Sequence, residues 1–140
     1  MTPLEAEIAR KVRQWLGFAG EDLSLAQHGL TLSTGVPFRL IAYHAQQCAE
    51  KCIKGYLVSH KIDFPFTHNV GHLLELCRTE TPWRPDLDDA ADLTPFAITA
   101  RYPGLFDEVT EAEALLAIET AKSVRDAIYE QFAKEGISLE

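Results

Sequence analysis

Tyr43-His44-Ala45-Gln46-Gln47-Cys48-Ala49-Glu50-Lys51-Cys52-Ile53-Lys54-Gly55-Tyr56-Leu57 decides how the rest of this chain is read. At about 100° per residue, Phe38, Ile41, Ala42, Ala45, Cys48, Ala49, Cys52 and Tyr56 gather on one face of a helix, and Gln47, Glu50, Lys51 and Lys54 gather on the other. The apolar face is built largely from small side chains. These let a neighbouring helix approach closely, as the central helix of a bundle requires, because interaxial distance follows the side chains at the contact.

Working outward, Leu4 to about Leu30 reads as a first long helix, with Ile8, Val12, Trp15, Leu16, Ala19, Leu23 and Ala26 at steps of three and four. Thr31-Leu32-Ser33-Thr34-Gly35-Val36-Pro37 is a turn, and Pro37 opens a second helix that runs to about His60. Lys61-Ile62-Asp63-Phe64-Pro65-Phe66 is extended, since the residue before a proline is pushed out of the α region. Thr67 is placed to cap a third helix ending at Cys77 or Arg78. After the proline-bounded Thr81-Pro82-Trp83-Arg84-Pro85, the acidic run Asp86-Leu87-Asp88-Asp89 suits the start of a fourth helix, which Pro95 must kink or restart near Thr94. A last helix covers about Glu111 to Lys134, with Ala114, Leu115, Ile118, Ala121, Val124, Ile128, Tyr129 and Phe132 as its stripe, and Gly136 is its stop. No segment alternates as a strand would. The expectation is an all-α, up-and-down bundle of four to five helices, with residues 1–140 forming one domain.

Composition narrows the function classes. With 140 residues and 46% apolar content the chain can bury a proper core. No run approaches the ~18 apolar residues of a membrane helix, and Met1-Thr2-Pro3-Leu4-Glu5-Ala6-Glu7 lacks the basic and apolar regions of a signal peptide. An odd cysteine count, three, suits a reducing compartment, so a soluble cytoplasmic protein is expected. A net charge of −8 argues against a protein that grips long nucleic acid by its phosphates, while leaving room for a small basic site.

The string Gln46-Gln47-x-x-Glu50-Lys51-x-x-Lys54 closely resembles the signature of HEPN domains, helical proteins often encoded beside minimal nucleotidyltransferases. Trp15-Leu16-x-x-Ala19-x-x-Asp22-Leu23-x-x-Ala26 is similar to the first helix of that family. Pro65-x-Thr67-His68-Asn69 resembles the approach to its third helix, and Arg101-Tyr102-Pro103 the segment after its fourth. Asn69 stands where the family usually has Asp. The resemblance implies a bundle that acts by association, without a cofactor: a homodimer, partnered with a minimal nucleotidyltransferase in a toxin-antitoxin-like pair. It further implies a surface for a nucleotide or an RNA end, for which Gln47, Lys51, Lys54, Arg101 and Tyr102 are the candidates.

Active members of the family resemble metal-independent ribonucleases and carry an Arg separated by four to six residues from a following His, two copies meeting across a dimer. A near-neutral His moves protons at the ribose hydroxyl and the leaving oxygen, while Arg steadies the phosphate. Among the seven arginines only Arg39 is followed by a His at that spacing, His44, and both lie on the second helix. Five helical residues turn through about 500°, so the two side chains point roughly 140° apart and do not converge within one chain. Arg101, at the family-like position, is followed by no His. Arg101, Arg39 and His44 are therefore weak catalytic candidates, and an endoribonuclease toxin is the alternative function; a ligand-free adaptor is a third.

Other constellations have plainer readings. His44, Cys48 and Cys52 form an i, i+4, i+8 ladder that Cys77 could extend towards a zinc site, but small buried thiols explain the cysteines better. His68 and His72 share a helical face with Asn at position 69, not the Glu of a zinc hydrolase. Asp86, Asp88, Asp89 and Asp92 lack the glycine of a calcium loop and suit a solvated helix start. Lys51 and Lys54 either pair with Glu50 and neighbouring helices or face a nucleotide. Phe64, Phe66 and Trp83 are either core or an exposed association patch.

Overall fold

The computed structural model describes residues 2–80, 85–99, 108–137 and 139. Among these, five α-helices follow one another, α1 (Pro3–Gly29), α2 (Phe38–Ser59), α3 (Val70–Arg78), α4 (Thr94–Thr99) and α5 (Glu111–Lys134), with a 3-10 segment, Pro85–Leu93, before α4. No strand occurs among the described residues. The fold is all-α, and the long helices begin and end where their sequences dictate. Thr2 and Thr110 each close a capping box, with Glu5 and Glu113 returning the bond, so orphan amides of α1 and α5 are satisfied by their own first turns.

α2 is the hub. It packs against α1, α3, α4, α5 and the 3-10 segment, and Ala42, Ala45, Cys48 and Ala49 on it are completely buried. α1 runs antiparallel to α2, with Gly29 facing Ile41 at one end and Gly55 facing Trp15 at the other. α5 runs parallel to α2: the Tyr56 and Phe132 rings lie 5.6 Å apart, and His60 Nε2 meets Glu135 Oε1 at 2.5 Å where the two helices end. The connection between them is taken by short pieces. α3 and the 3-10 segment lie antiparallel, tied by Val70 N donating to Thr94 Oγ1 and by the Arg78–Asp88 ion pair.

Two expectations need correction. The acidic stretch after Pro85 is not an α-helix but a 3-10 segment, Pro85–Leu93, and the α-helix begins only at Thr94, with Pro95 in its first turn where no amide donor is needed. The cap of α3 is Asn69, whose Oδ1 accepts from His72 N, while Thr67 Oγ1 accepts from Asn69 N one step earlier. Both side chains are cap formers, and the extended φ and ψ of Asn69 decide which one closes the helix. Trp83 and the Arg101-Tyr102-Pro103 string lie outside the described residues.

The α1/α2 crossing depends on a residue without a side chain. A Cβ on Gly55 would sit 3.3 Å from Trp15 Cβ and 3.4 Å from Leu16 Cδ2. Gly55→Leu should destabilise the protein by about 1–3 kcal/mol in urea unfolding, despite the better helix propensity of leucine. Gly55→Ala should be close to neutral; equal stability of the leucine variant would mean that the helices separate freely here.

Candidate functional site

The polar string of α2 does not face solvent. Gln46, Gln47, Glu50 and Lys54 are buried, Glu50 at 2% exposure, because α1, the 61–69 connection and α3 close over a face that the helical projection assigns to the outside. Only Lys51 of the expected polar face is partly exposed. A buried polar group must be bonded to persist, and these are bonded to one another.

Glu50 is the centre. Its Oε1 accepts from Gln46 Nε2 at 3.0 Å and lies 2.7 Å from His68 Nδ1, and its Oε2 accepts from Lys54 Nζ at 3.1 Å. Gln46 is satisfied at both ends, donating also to the His68 carbonyl at 3.3 Å and accepting from Gln47 Nε2 at 2.6 Å. The Lys54 ammonium lies 5.6 Å from the Trp15 ring and 5.7 Å from that of Phe64, two π faces that favour a cation screened from water. Trp15 and Phe64 meet edge to face, their centroids 6.2 Å apart. The aromatic pair therefore lids an ion pair.

A second knot joins α1 to α2. Asp22 Oδ2 accepts from Lys51 Nζ at 2.6 Å, and Asp22 Oδ1 lies 2.8 Å from His44 Nδ1. One carboxylate thus holds two of the residues singled out in the sequence. Asp22 enters the sequence reading only as part of a helix pattern; an acid at the edge of the Ala19, Leu23, Ala26 stripe is the signal that it needs a partner on the next helix.

The structure separates other candidates. Arg39 is exposed at the start of α2, whereas His44 is partly buried against Asp22, so the two do not form a site within one chain. The His44, Cys48, Cys52 ladder does not converge either, since Cys48 and Cys52 turn into the core while His44 bonds Asp22. The neighbouring Cys48 sulfur and burial push the Cys52 thiol up while Cys52 lowers that of Cys48, and burial lifts Cys77 to about 12, so Cys52 and Cys77 do not offer thiolates. Among the described residues no group of three or more His, Cys, Asp or Glu is placed to hold a metal ion. Arg101 and Tyr102 lie outside the described residues.

Trp15 and Phe64 cover the Lys54 end of the cluster, and two further aromatic side chains are exposed. Phe64 is half-buried on Trp15, Phe18 is half-exposed, and Phe66 is fully exposed at 110% between Phe64 and His68 in the sequence. Phe18 and Trp15 share with Lys11 and Gln14 a surface cavity of about 250 Å³.

A family model described as the HEPN domain matches residues 12–132. Among solved structures, the chain is similar to TT1696 from Thermus thermophilus, with 27% identity over 86% of this chain and 97% of that one and a TM-score of 0.76. It is similar also to ST0689, an archaeal HEPN homologue, with 28% identity over 86% of this chain and 96% of that one and a TM-score of 0.69. No curated protein matches. No helix among the described residues is long and apolar enough to cross a membrane.

Proposed function

The chain belongs to the HEPN family, and we propose that it works by association, as a homodimer that serves as the partner subunit of a minimal nucleotidyltransferase. The observation that carries the reading is the exposed aromatic area of Phe66 and Phe18. Phe66, fully exposed, and Phe18, half-exposed next to Trp15 at a surface cavity, leave apolar area in water that a contact with a second molecule would remove. Aromatic side chains are also those that interfaces favour. The buried Glu50 cluster contributes rigidity rather than free charge, because Glu50 and Lys54 neutralise each other. Family membership is what supports the nucleotidyltransferase partner and the accommodation of a nucleotide or RNA end near Gln47, Lys51, Lys54, Arg101 and Tyr102.

Sedimentation of the purified protein tests self-association. The wild type should be dimeric at roughly 10 µM, and Phe66→Asp should weaken the dimer by about 2 kcal/mol or more, some 30-fold. Its helical circular dichroism should hardly change, since Phe66 lies outside the core. A wild type that is monomeric at roughly 100 µM, or a variant as dimeric as the wild type, would remove this surface from the account.

A further inference from the structure

On a different face, between the 3-10 segment, α4 and α5, lies a cleft of about 380 Å³ with an apolar floor and an acidic edge. Leu93 and Ala117 form buried parts of its wall, Phe96 is half-buried, and Leu116 stands at its lip 68% exposed. Asp89 and Asp92 edge one side and Glu113 the other. In a 3-10 helix residues three apart eclipse one another, so Asp89 and Asp92 present their charge along one line. Neighbouring acids are used within the fold, Asp88 by Arg78 and Glu113 by the Thr110 capping box, but Asp89 and Asp92 have no ion-pair partner among the described residues. No Lys or Arg is among the described residues that line the cleft.

We infer that this cleft is a docking site for a basic amphipathic helix of a heterologous protein partner. Leucine-like side chains at i, i+3, i+4 and i+7 would enter between Phe96 and Leu116, and flanking Lys or Arg would reach Asp89, Asp92 and Glu113. Charge selects this occupant over the others. RNA would bring phosphates against the acidic edge, and a protein of net charge −8 supplies no compensating field. A second copy docking through the same face about a two-fold axis would set the acidic edges of the two chains together. The inference rests on the reading of the chain as an association protein, though not on its homodimerisation.

A fluorescein-labelled 18-residue helical peptide with a leucine stripe and lysines elsewhere, titrated into the full-length protein and followed by anisotropy, tests this. Saturable micromolar binding is expected, with none for the same peptide carrying Glu in place of Lys. Leu116→Asp and the double variant Asp89→Lys/Asp92→Lys should each weaken binding at least tenfold, with circular dichroism melts unchanged because the substituted side chains are not part of the core. No saturable binding, or equal binding by wild type and both variants, overturns the inference. So does a loss of dimer on Leu116→Asp, which would make the occupant a second copy. A wild type that sediments as a dimer sensitive to Phe66→Asp yet ignores the peptide refutes the docking site alone and leaves the association reading standing.

Discussion

Glu50→Ala should cost about 3–5 kcal/mol of stability, because it strips a buried cluster of its acceptor and leaves the Lys54 charge uncompensated. Three donors converge on this carboxylate, from Gln46, His68 and Lys54, and the Lys54 side chain is only 9% exposed, so water cannot replace it cheaply. For a domain whose total stability is of the order of 5–15 kcal/mol, that is about a fifth or more. Glu50→Gln should cost less than alanine, since it keeps an acceptor while losing the charge. The sharper comparison is the double variant Glu50→Leu/Lys54→Met. It removes both charges together; Gln46 keeps the His68 carbonyl, and the His68 ring, 43% exposed, reaches water. Its stability should return to within about 2 kcal/mol of the wild type, as buried ion pairs replaced by apolar groups commonly do. Urea unfolding of the three variants measures this. A loss below about 1 kcal/mol for Glu50→Ala would show that the site is already solvated.

The same residues show where sequence reading stops. The stripes of α1 and α2 are legible because each buries one apolar face, and the small residues of α2 correctly mark it as the helix that others pack upon; in α5 Leu115 and Tyr129 of the expected stripe are exposed, and the smaller Ala117 and Ala127 are buried in the close contact instead. Gln46, Gln47, Glu50 and Lys54 are not legible as buried, since a helical projection gives a polar arc the same pattern whether water or a bonded network covers it. Only the chain folding back through Phe64 and His68 decides between them, and that is tertiary information. The 3-10 segment is hidden for a local reason: its acidic start has the signature of an α-helix N-terminus, and side-chain type does not distinguish α from 3-10 turns here. Phe64 and Phe66 are two residues apart, a spacing that in a regular extended chain would set both on the same side. The chain bends at Phe66 instead, so Phe64 packs on Trp15 while Phe66 faces solvent, and no composition argument separates the two.

Asp22→Asn should raise the affinity for a nucleotide about tenfold, about 1.4 kcal/mol, if Lys51 belongs to a ligand surface. In the structure Lys51 Nζ is 2.6 Å from Asp22 Oδ2, with the two side chains 23% and 12% exposed, so a phosphate reaching Lys51 must compete with a carboxylate already in place. It must also sit beside that negative charge. Asparagine keeps the shape and an acceptor while deleting the charge, which turns a satisfied ion pair into an available cation. Making the net charge less negative than −8 also favours any anion through the long-range field. Glu21→Gln therefore serves as the control, because Glu21 is exposed, neighbours Asp22 in sequence and does not bond Lys51. Calorimetric titration with ATP in about 0.15 M salt, where the Debye length is about 8 Å, suppresses the field and keeps the contact. A gain in Asp22→Asn that is absent in Glu21→Gln and abolished by adding Lys51→Met would place the phosphate at Lys51. The same affinity in all of them, or no saturable heat in any, would make Lys51 a strut between α1 and α2, and association would then proceed without a ligand on this face.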